Sequence, residues 1–157
     1  MLKRLGFVDV NRGWNWVKNL ENDLENERWN GKVNVSGRKC LWFGVGVNLG
    51  YRKSIYKGRE IDRGLRKRGN DLWGNDCWNS ILVYKYDRGC ELKDHVDRKW
   101  LSRKVVIVNF CKNEVDFRYG NNIYKLQDGE VIEIDSSVLH GVREVESERW
   151  SLSFRKV

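Results

Sequence analysis

The chain has 157 residues, 40% hydrophobic and 33% charged, with a formal net charge of +8. That apolar share, with eight tryptophans, exceeds what a disordered segment carries, and the length suits one domain with its own core. No apolar run approaches the ~18–20 residues of a membrane span, which leaves a polyanion, nucleic acid before an acidic lipid surface, as the partner the charge favours.

The opening MLKRLGFVDV is basic but lacks the apolar stretch of a signal peptide. Cysteines at 40, 77, 90 and 111 form no CxxC pair, and with His95 they fit no familiar zinc spacing. They read as reduced thiols of a cytoplasmic-type compartment. No membrane association is expected, and a monomer is favoured.

From residue 11 to 29, NRGWNWVKNLENDLENERW has helical periodicity. Trp14, Val17, Leu20 and Leu24 recur at three- and four-residue steps, with Asn11 as the cap. From Lys32 the texture changes to short runs rich in Val, Ile, Tyr, Phe and Trp. These are KVNV, RKCLWFGVGV, SILVYKY, KVVIVNF, EVDFRY, NIYKL, EVIEID, SVLHGV and RWSLSFR, separated by turns at Gly89, Gly120-Asn121-Asn122 and Asp128-Gly129. Closely spaced strands without intervening helices predict a sandwich or barrel rather than a parallel sheet. Between residues 52 and 68 lie eight basic and two acidic residues. This tract, with Arg66, Lys67 and Arg68, reads either as a solvated helix and loop or as a rim facing phosphates.

Only two histidines are present, His95 and His140. His95 and Asp97 share a side if their segment is extended. With His140 they compose two imidazoles and one carboxylate, the facial set that holds Fe(II) while leaving positions open. The final run strengthens the pattern. Arg149, Ser151, Ser153 and Arg155 fall on one face of a strand, and Trp150, Leu152 and Phe154 fall on the other. Arginine's fork suits a carboxylate held in a partly dry cavity, as 2-oxoglutarate would require.

These residues resemble the AlkB family of Fe(II)/2-oxoglutarate dioxygenases. NSILVYKYDRGCELKDHVD is similar to that family's strand ending in Asn-x-Tyr, its Gly turn and its His-x-Asp, with Asn79, Tyr86, Gly89, Leu92, His95 and Asp97 at matching spacing. QDGEVIEIDSSVLHGV resembles its approach to the distal His, and RWSLSFR its closing Arg-x5-Arg. RKCLWFGVGVNLGYRKS looks like its nucleotide-recognition lid.

The resemblance implies a mainly β (α+β) fold, a double-stranded β-helix or jelly-roll core with N-terminal helices and a substrate-recognition lid. One domain over 1–157 is expected, with the lid and basic segment at about 30–75 and the catalytic core at about 79–157. His95, Asp97 and His140 would bind Fe(II) and be the catalytic residues. Arg149 would pair with the distal carboxylate of 2-oxoglutarate, helped by Ser151 and Tyr86, with Arg155 near the chelating end. With O2 the reaction would give succinate and CO2 and hydroxylate an N-methyl group on a base, which then sheds formaldehyde. Trp42 and Phe43 would stack on a flipped-out base of methylated single-stranded DNA or RNA, with Tyr51 in the lid. Two positions depart from the pattern. Tyr84 stands where the family has Asn, and Arg98-Lys99-Trp100 stands where acidic residues often follow His-x-Asp. Lys99 and Trp100 are therefore further candidates for substrate contact, and the change opens a protein side chain or small molecule as the alternative substrate. A non-catalytic nucleic-acid-binding jelly roll is the remaining reading.

Overall fold

The structure is a computed structural model that describes residues 2–74 and 76–157. In chain order the elements are β1 (Lys3–Phe7), α1 (Val10–Lys18), a 3-10 turn (Glu21–Asp23), β2 (Glu25–Asn26), β3 (Arg28–Trp29), β4 (Lys32–Val33), β5 (Lys39–Val47) and β6 (Ile55–Lys57). There follow α2 (Arg63–Trp73), β7 (Ser80–Tyr86), β8 (Leu92–His95), β9 (Lys104–Cys111), β10 (Val115–Tyr119), β11 (Asn122–Leu126), β12 (Glu130–Asp135), β13 (His140–Val142) and β14 (Arg149–Arg155).

The large antiparallel sheet has the order β1-β12-β9-β14-β7-β5-β2, and β6 pairs with β5 at one end. A smaller sheet, β11-β10-β13-β8, faces it. Two antiparallel sheets enclosing one core are the jelly-roll arrangement expected from the strand density.

Period-two alternation divides the large sheet into two unlike faces. Ile81 and Val83 on β7, Val106 and Val108 on β9, and Trp150, Leu152 and Phe154 on β14 point outward into one apolar cluster. Val17 of α1 and Trp73 of α2 cover that cluster. Their neighbours on the same strands, Leu82, Tyr84, Tyr86, Ile107 and Cys111, turn inward toward Phe117 and Val142 of the small sheet. Central strand β14 pairs with β7 on one side and β9 on the other, so all seven of its residues are buried.

The helix extent and its cap need correction. The helix predicted over 11–29 ends at Lys18, and its cap is Asp9, whose carboxylate accepts from the Arg12 amide at 3.1 Å. Trp14, Val17, Leu20 and Leu24 still meet the outer cluster, but the last two do so from a turn. Asn19, Asn22 and Asp23 compete with helical bonding, and Glu25 and Asn26 pair with β5 instead. Strands β1 and β6 were not anticipated. β5, from the segment expected to form the lid, lies inside the large sheet between β7 and β2. No described helix is long and apolar enough to cross a membrane.

Candidate active site

His95 and His140 face each other because β8 and β13 pair with those residues in register. Their rings lie 4.5 Å apart between centroids. Gly141 makes the approach possible: a Cβ there would stand 2.7 Å from the Leu92 carbonyl oxygen and 2.4 Å from Asp94 Oδ1. Each imidazole is fixed at its Nδ1, His95 by the Lys93 carbonyl at 2.8 Å and His140 by the Val138 carbonyl at 2.7 Å. With those Nδ1 atoms donating to carbonyls, each Nε2 points inward, and on losing its proton it offers a lone pair to a metal. Asp97 leaves β8 by donating its amide to the Ser136 carbonyl, and its Oδ1 meets His95 Nε2 at 3.1 Å and His140 Nε2 at 3.3 Å.

The three ligand atoms lie within 4.8 Å of one another, and no other such cluster of His, Cys, Asp and Glu exists among the described residues. Two neutral nitrogens and one carboxylate oxygen on one side of a point, facing a cavity on the other, suit Fe(II) with open positions. The second Asp97 oxygen is occupied by Arg155, whose Nη1 donates to Oδ2 at 2.8 Å. Burial works against the Asp97 carboxylate, but His140, His95 and Arg155 outweigh it and hold the carboxyl far below its usual range. Burial also opposes charge on His95, yet its bonds to Asp97 and the Lys93 carbonyl leave its pKa raised.

The triad opens into a cavity of about 730 Å³ between the sheets, lined by the inward residues of β7 and β14. At its inner wall Arg149 is 1% exposed. Its Nε donates to Asn109 Oδ1 at 2.7 Å, and its guanidinium lies 4.8 Å from the Tyr86 ring centroid. No carboxylate among the described residues pairs with it. Stripped of water, the Arg149 cation has its pKa lowered, with Tyr86 acting in the opposite direction. A buried, uncompensated guanidinium is costly in an empty cavity and becomes favourable when an anion enters.

A second polar group sits on the same wall. Glu27 and Arg38 are almost fully buried and joined at 2.6 Å. The Tyr84 hydroxyl donates to Glu27 Oε1 at 2.8 Å, and Arg38 Nη1 donates to the Tyr86 hydroxyl at 3.2 Å. The Arg38 guanidinium also lies over the Tyr84 ring at 4.3 Å. Burial opposes the Arg38 charge, but Tyr86, Tyr84 and Glu27 more than offset it and raise its pKa. Tyr84, where the family pattern has Asn, is thus committed to Glu27.

The predicted site residues divide sharply. His95, Asp97, His140, Arg149, Arg155, Tyr86, Ser151 and Trp42 all line the one cavity. Phe43 does not. It points to the outer face and packs against Trp16 at 5.5 Å, so it presents no surface to a base in the cavity. Tyr51 stands exposed near the mouth, edge-on to Trp29 at 5.5 Å, and Arg98 covers both rings. Lys99 is exposed and outside the cavity lining, while Trp100 packs on the inner core with Lys53 over its ring. Arg66, Lys67 and Arg68 lie on α2, which covers the outer face of the sheet. Arg66 is engaged with Trp78, donating to its carbonyl at 2.9 Å and lying 4.2 Å from its ring. The α2 part of the basic tract is therefore on the side away from the cavity, whereas Lys53 lies over Trp100 on the inner side.

The cavity residues Glu27 and Arg38, and Asn109, which holds Arg149 from behind, escaped the sequence reading. Asn109 carries a legible signal, a lone amide among the inward apolar residues of β9. Glu27 carries none, since its place depends on how β2 lies against β5.

No known family model matches this chain, and no curated protein matches it in sequence. Its fold does match solved structures. The structure of OsALKBH1 is 14% identical, covering 99% of this chain and 97% of its own, with a TM-score of 0.69. A prolyl hydroxylase from Trichoplax adhaerens, solved with a hypoxia inducible factor peptide, is 15% identical over 98% of this chain and 82% of its own, at 0.66. A Pseudomonas putida prolyl-4-hydroxylase is 14% identical over 99% and 91%, at 0.63. At such identities the likeness is one of architecture: this chain has the double-stranded β-helix fold found in 2-oxoglutarate-Fe(II) oxygenases.

Proposed function

We propose that this protein is an Fe(II)/2-oxoglutarate-dependent dioxygenase. The observation that carries the reading is the His95–Asp97–His140 cluster opening into the cavity that also holds the buried, uncompensated Arg149. His95 Nε2, His140 Nε2 and Asp97 Oδ1 would hold the ion. Arg155 donates to Asp97 Oδ2 and so fixes which of its oxygens faces the histidines. Arg149, backed by Asn109, would take the distal carboxylate of 2-oxoglutarate, with Ser151 and the Tyr86 hydroxyl beside it. When bound, the iron with 2-oxoglutarate and O2 supplies the oxidation that converts a substrate C–H to C–OH as the cosubstrate becomes succinate and CO2. The apolar inward residues Leu82, Ile107 and Val142 limit water around the reacting centre.

The substrate we propose is an N-alkylated base in single-stranded DNA or RNA, which after hydroxylation releases formaldehyde. Its support is the +8 charge and an aromatic and cationic mouth formed by Trp29, Tyr51 and Arg98. The segment at about 30–75 would act as the lid through its mouth-facing residues. A protein side chain or small molecule is the second reading, favoured by the outward placement of Phe43 and α2. The deciding experiment is anaerobic titration with Fe(II) and 2-oxoglutarate, followed by a methylated oligonucleotide in air. Binding of both, with formaldehyde and base repair, is expected. Binding and 2-oxoglutarate turnover without repair would move the substrate to the second reading, and no joint binding would end the proposal.

A further inference from the structure

Arg38 is a cavity residue without a ready structural reason to be there. It is 4% exposed, lines the space between the sheets, and has one donor, Nε, that is buried without a partner. Its other nitrogens are used at Tyr86 and Glu27. Glu27 is satisfied by Arg38, Tyr84 and Ser36, so it has little left to offer a ligand. A simple strut between the N-terminal segment and β7 would be cheaper with apolar residues, because a buried ion pair of this kind rarely gains net stability.

The charge balance of the cavity is informative. Among the nearly buried charged groups of its lining, three guanidiniums, of Arg38, Arg149 and Arg155, face two carboxylates, of Glu27 and Asp97, while Lys93, Arg98, Glu91, Asp94 and Glu144 are more exposed. The surplus cation is Arg149, and Arg38 adjoins it through one side chain: Arg38 Nη1 bonds the Tyr86 hydroxyl, while the Arg149 guanidinium lies against the Tyr86 ring. Since that hydroxyl accepts from Arg38, its own hydrogen is free to be donated elsewhere.

We infer that Arg38 belongs to the dicarboxylate site, offering its unpartnered donor and orienting the Tyr86 hydroxyl toward the carboxylate held by Arg149, with Glu27 tuning its charge. This rests on the function proposed above and extends it to a residue from the N-terminal segment. Glu27 lets two guanidiniums approach Tyr86 without full mutual repulsion before the ligand arrives. It follows that the 25–38 segment takes part in cosubstrate binding, in addition to any role at the mouth.

The test is calorimetric titration of 2-oxoglutarate into Mn(II)-loaded protein, which reads binding without turnover. Wild type, Arg149→Gln, Arg38→Lys and Glu27→Gln are compared, with Mn(II) affinity and thermal unfolding measured for each. Arg38→Lys keeps a partner for Glu27 but loses the fork, and should weaken 2-oxoglutarate by roughly tenfold with Mn(II) affinity unchanged. Glu27→Gln leaves Arg38 in place with its charge unopposed, and should tighten 2-oxoglutarate by about threefold. A plain strut gives the opposite sign, since loosening it can only weaken the site. Unchanged 2-oxoglutarate affinity in Arg38→Lys, or weakened affinity in a folded Glu27→Gln, overturns the inference while Arg149→Gln still shows a loss. If wild type itself binds no 2-oxoglutarate, the proposed function falls first. Should Arg38→Lys fail to fold, Glu27→Gln alone decides by its sign.

Discussion

The two faces of the large sheet are built from the same strands and could hardly differ more. Outward, β14 presents Trp150, Leu152 and Phe154 to α1 and α2; inward, it presents Arg149, Ser151, Ser153 and Arg155 to the cavity. Both faces are buried, so exposure does not separate them. What separates them is how burial is compensated. The outward residues gain from leaving water, and the inward arginines are held by specific acceptors, Asn109 for one and Asp97 for the other. Stability and chemistry are thus carried by alternate residues of one strand, and substitutions on the two faces should fail in different ways.

The largest effect belongs to the inward side. Outer-shell partners of a metal typically matter 10–100-fold, so His140→Ala, which removes a direct ligand, should lower 2-oxoglutarate turnover by more than about a hundredfold. Unfolding free energy should fall by no more than about 2 kcal/mol. Succinate formation and a denaturant titration check the two halves separately. Turnover surviving in His140→Ala would remove it from the metal site.

Trp150→Ala makes the converse break. The indole is fully buried among outward residues, and its loss should cost about 3–5 kcal/mol. At temperatures where the variant remains folded, 2-oxoglutarate binding should survive, since the inward residues keep their partners. Lost binding in a folded Trp150→Ala protein would show that the faces are not independent.

This division also explains what could be read from the amino-acid order. Residues 149–155 show their alternation directly and 80–86 read as a run of strand formers, and both strands form at those bounds. His95, Asp97 and His140 were legible because the chain contains only two histidines and one of them is in His-x-Asp. Phe43 and Trp42 are adjacent aromatics, and pattern alone assigns neither to the cavity; only the pairing of β5 with β7 turns Trp42 inward. The two readings of the basic tract could not be separated for a related reason. Charge density marks a segment but not the side of a sheet it covers, and α2 is held outward by Trp73 and by Gly69 against Trp78. Glu27 was beyond reach because its function requires β2, β5 and β7 to be assembled first.

A milder probe lies beside the metal ligands. Asp94 accepts from Arg118 at 2.9 Å and Arg143 at 3.0 Å, and Arg143 first, then Arg118, holds its carboxyl below the usual range, with slight burial opposing. A depressed folded-state pKa adds stability above the ordinary carboxylate range that is lost as pH falls through it. Arg143→Ala should therefore reduce stability at neutral pH by about 1 kcal/mol or less and flatten its decline toward acid, because the pair is partly exposed. An unchanged acid limb would mean that Arg118 alone accounts for the shift.

The smallest effect is the most pointed test of the outward face. Lys67 and Arg68 are exposed on α2, away from the cavity mouth, whereas Arg98 stacks between Trp29 and Tyr51 at that mouth. Each phosphate contact removed should lower the slope of log affinity against log salt by about one for an oligonucleotide ligand. The double variant Lys67→Ala/Arg68→Ala should leave that slope unchanged, and Arg98→Ala should lower it. The reverse result would place the nucleic acid across the helices, on the wrong side of the sheet for its bases to reach His95 and His140, and a bound strand would then be a partner rather than the substrate.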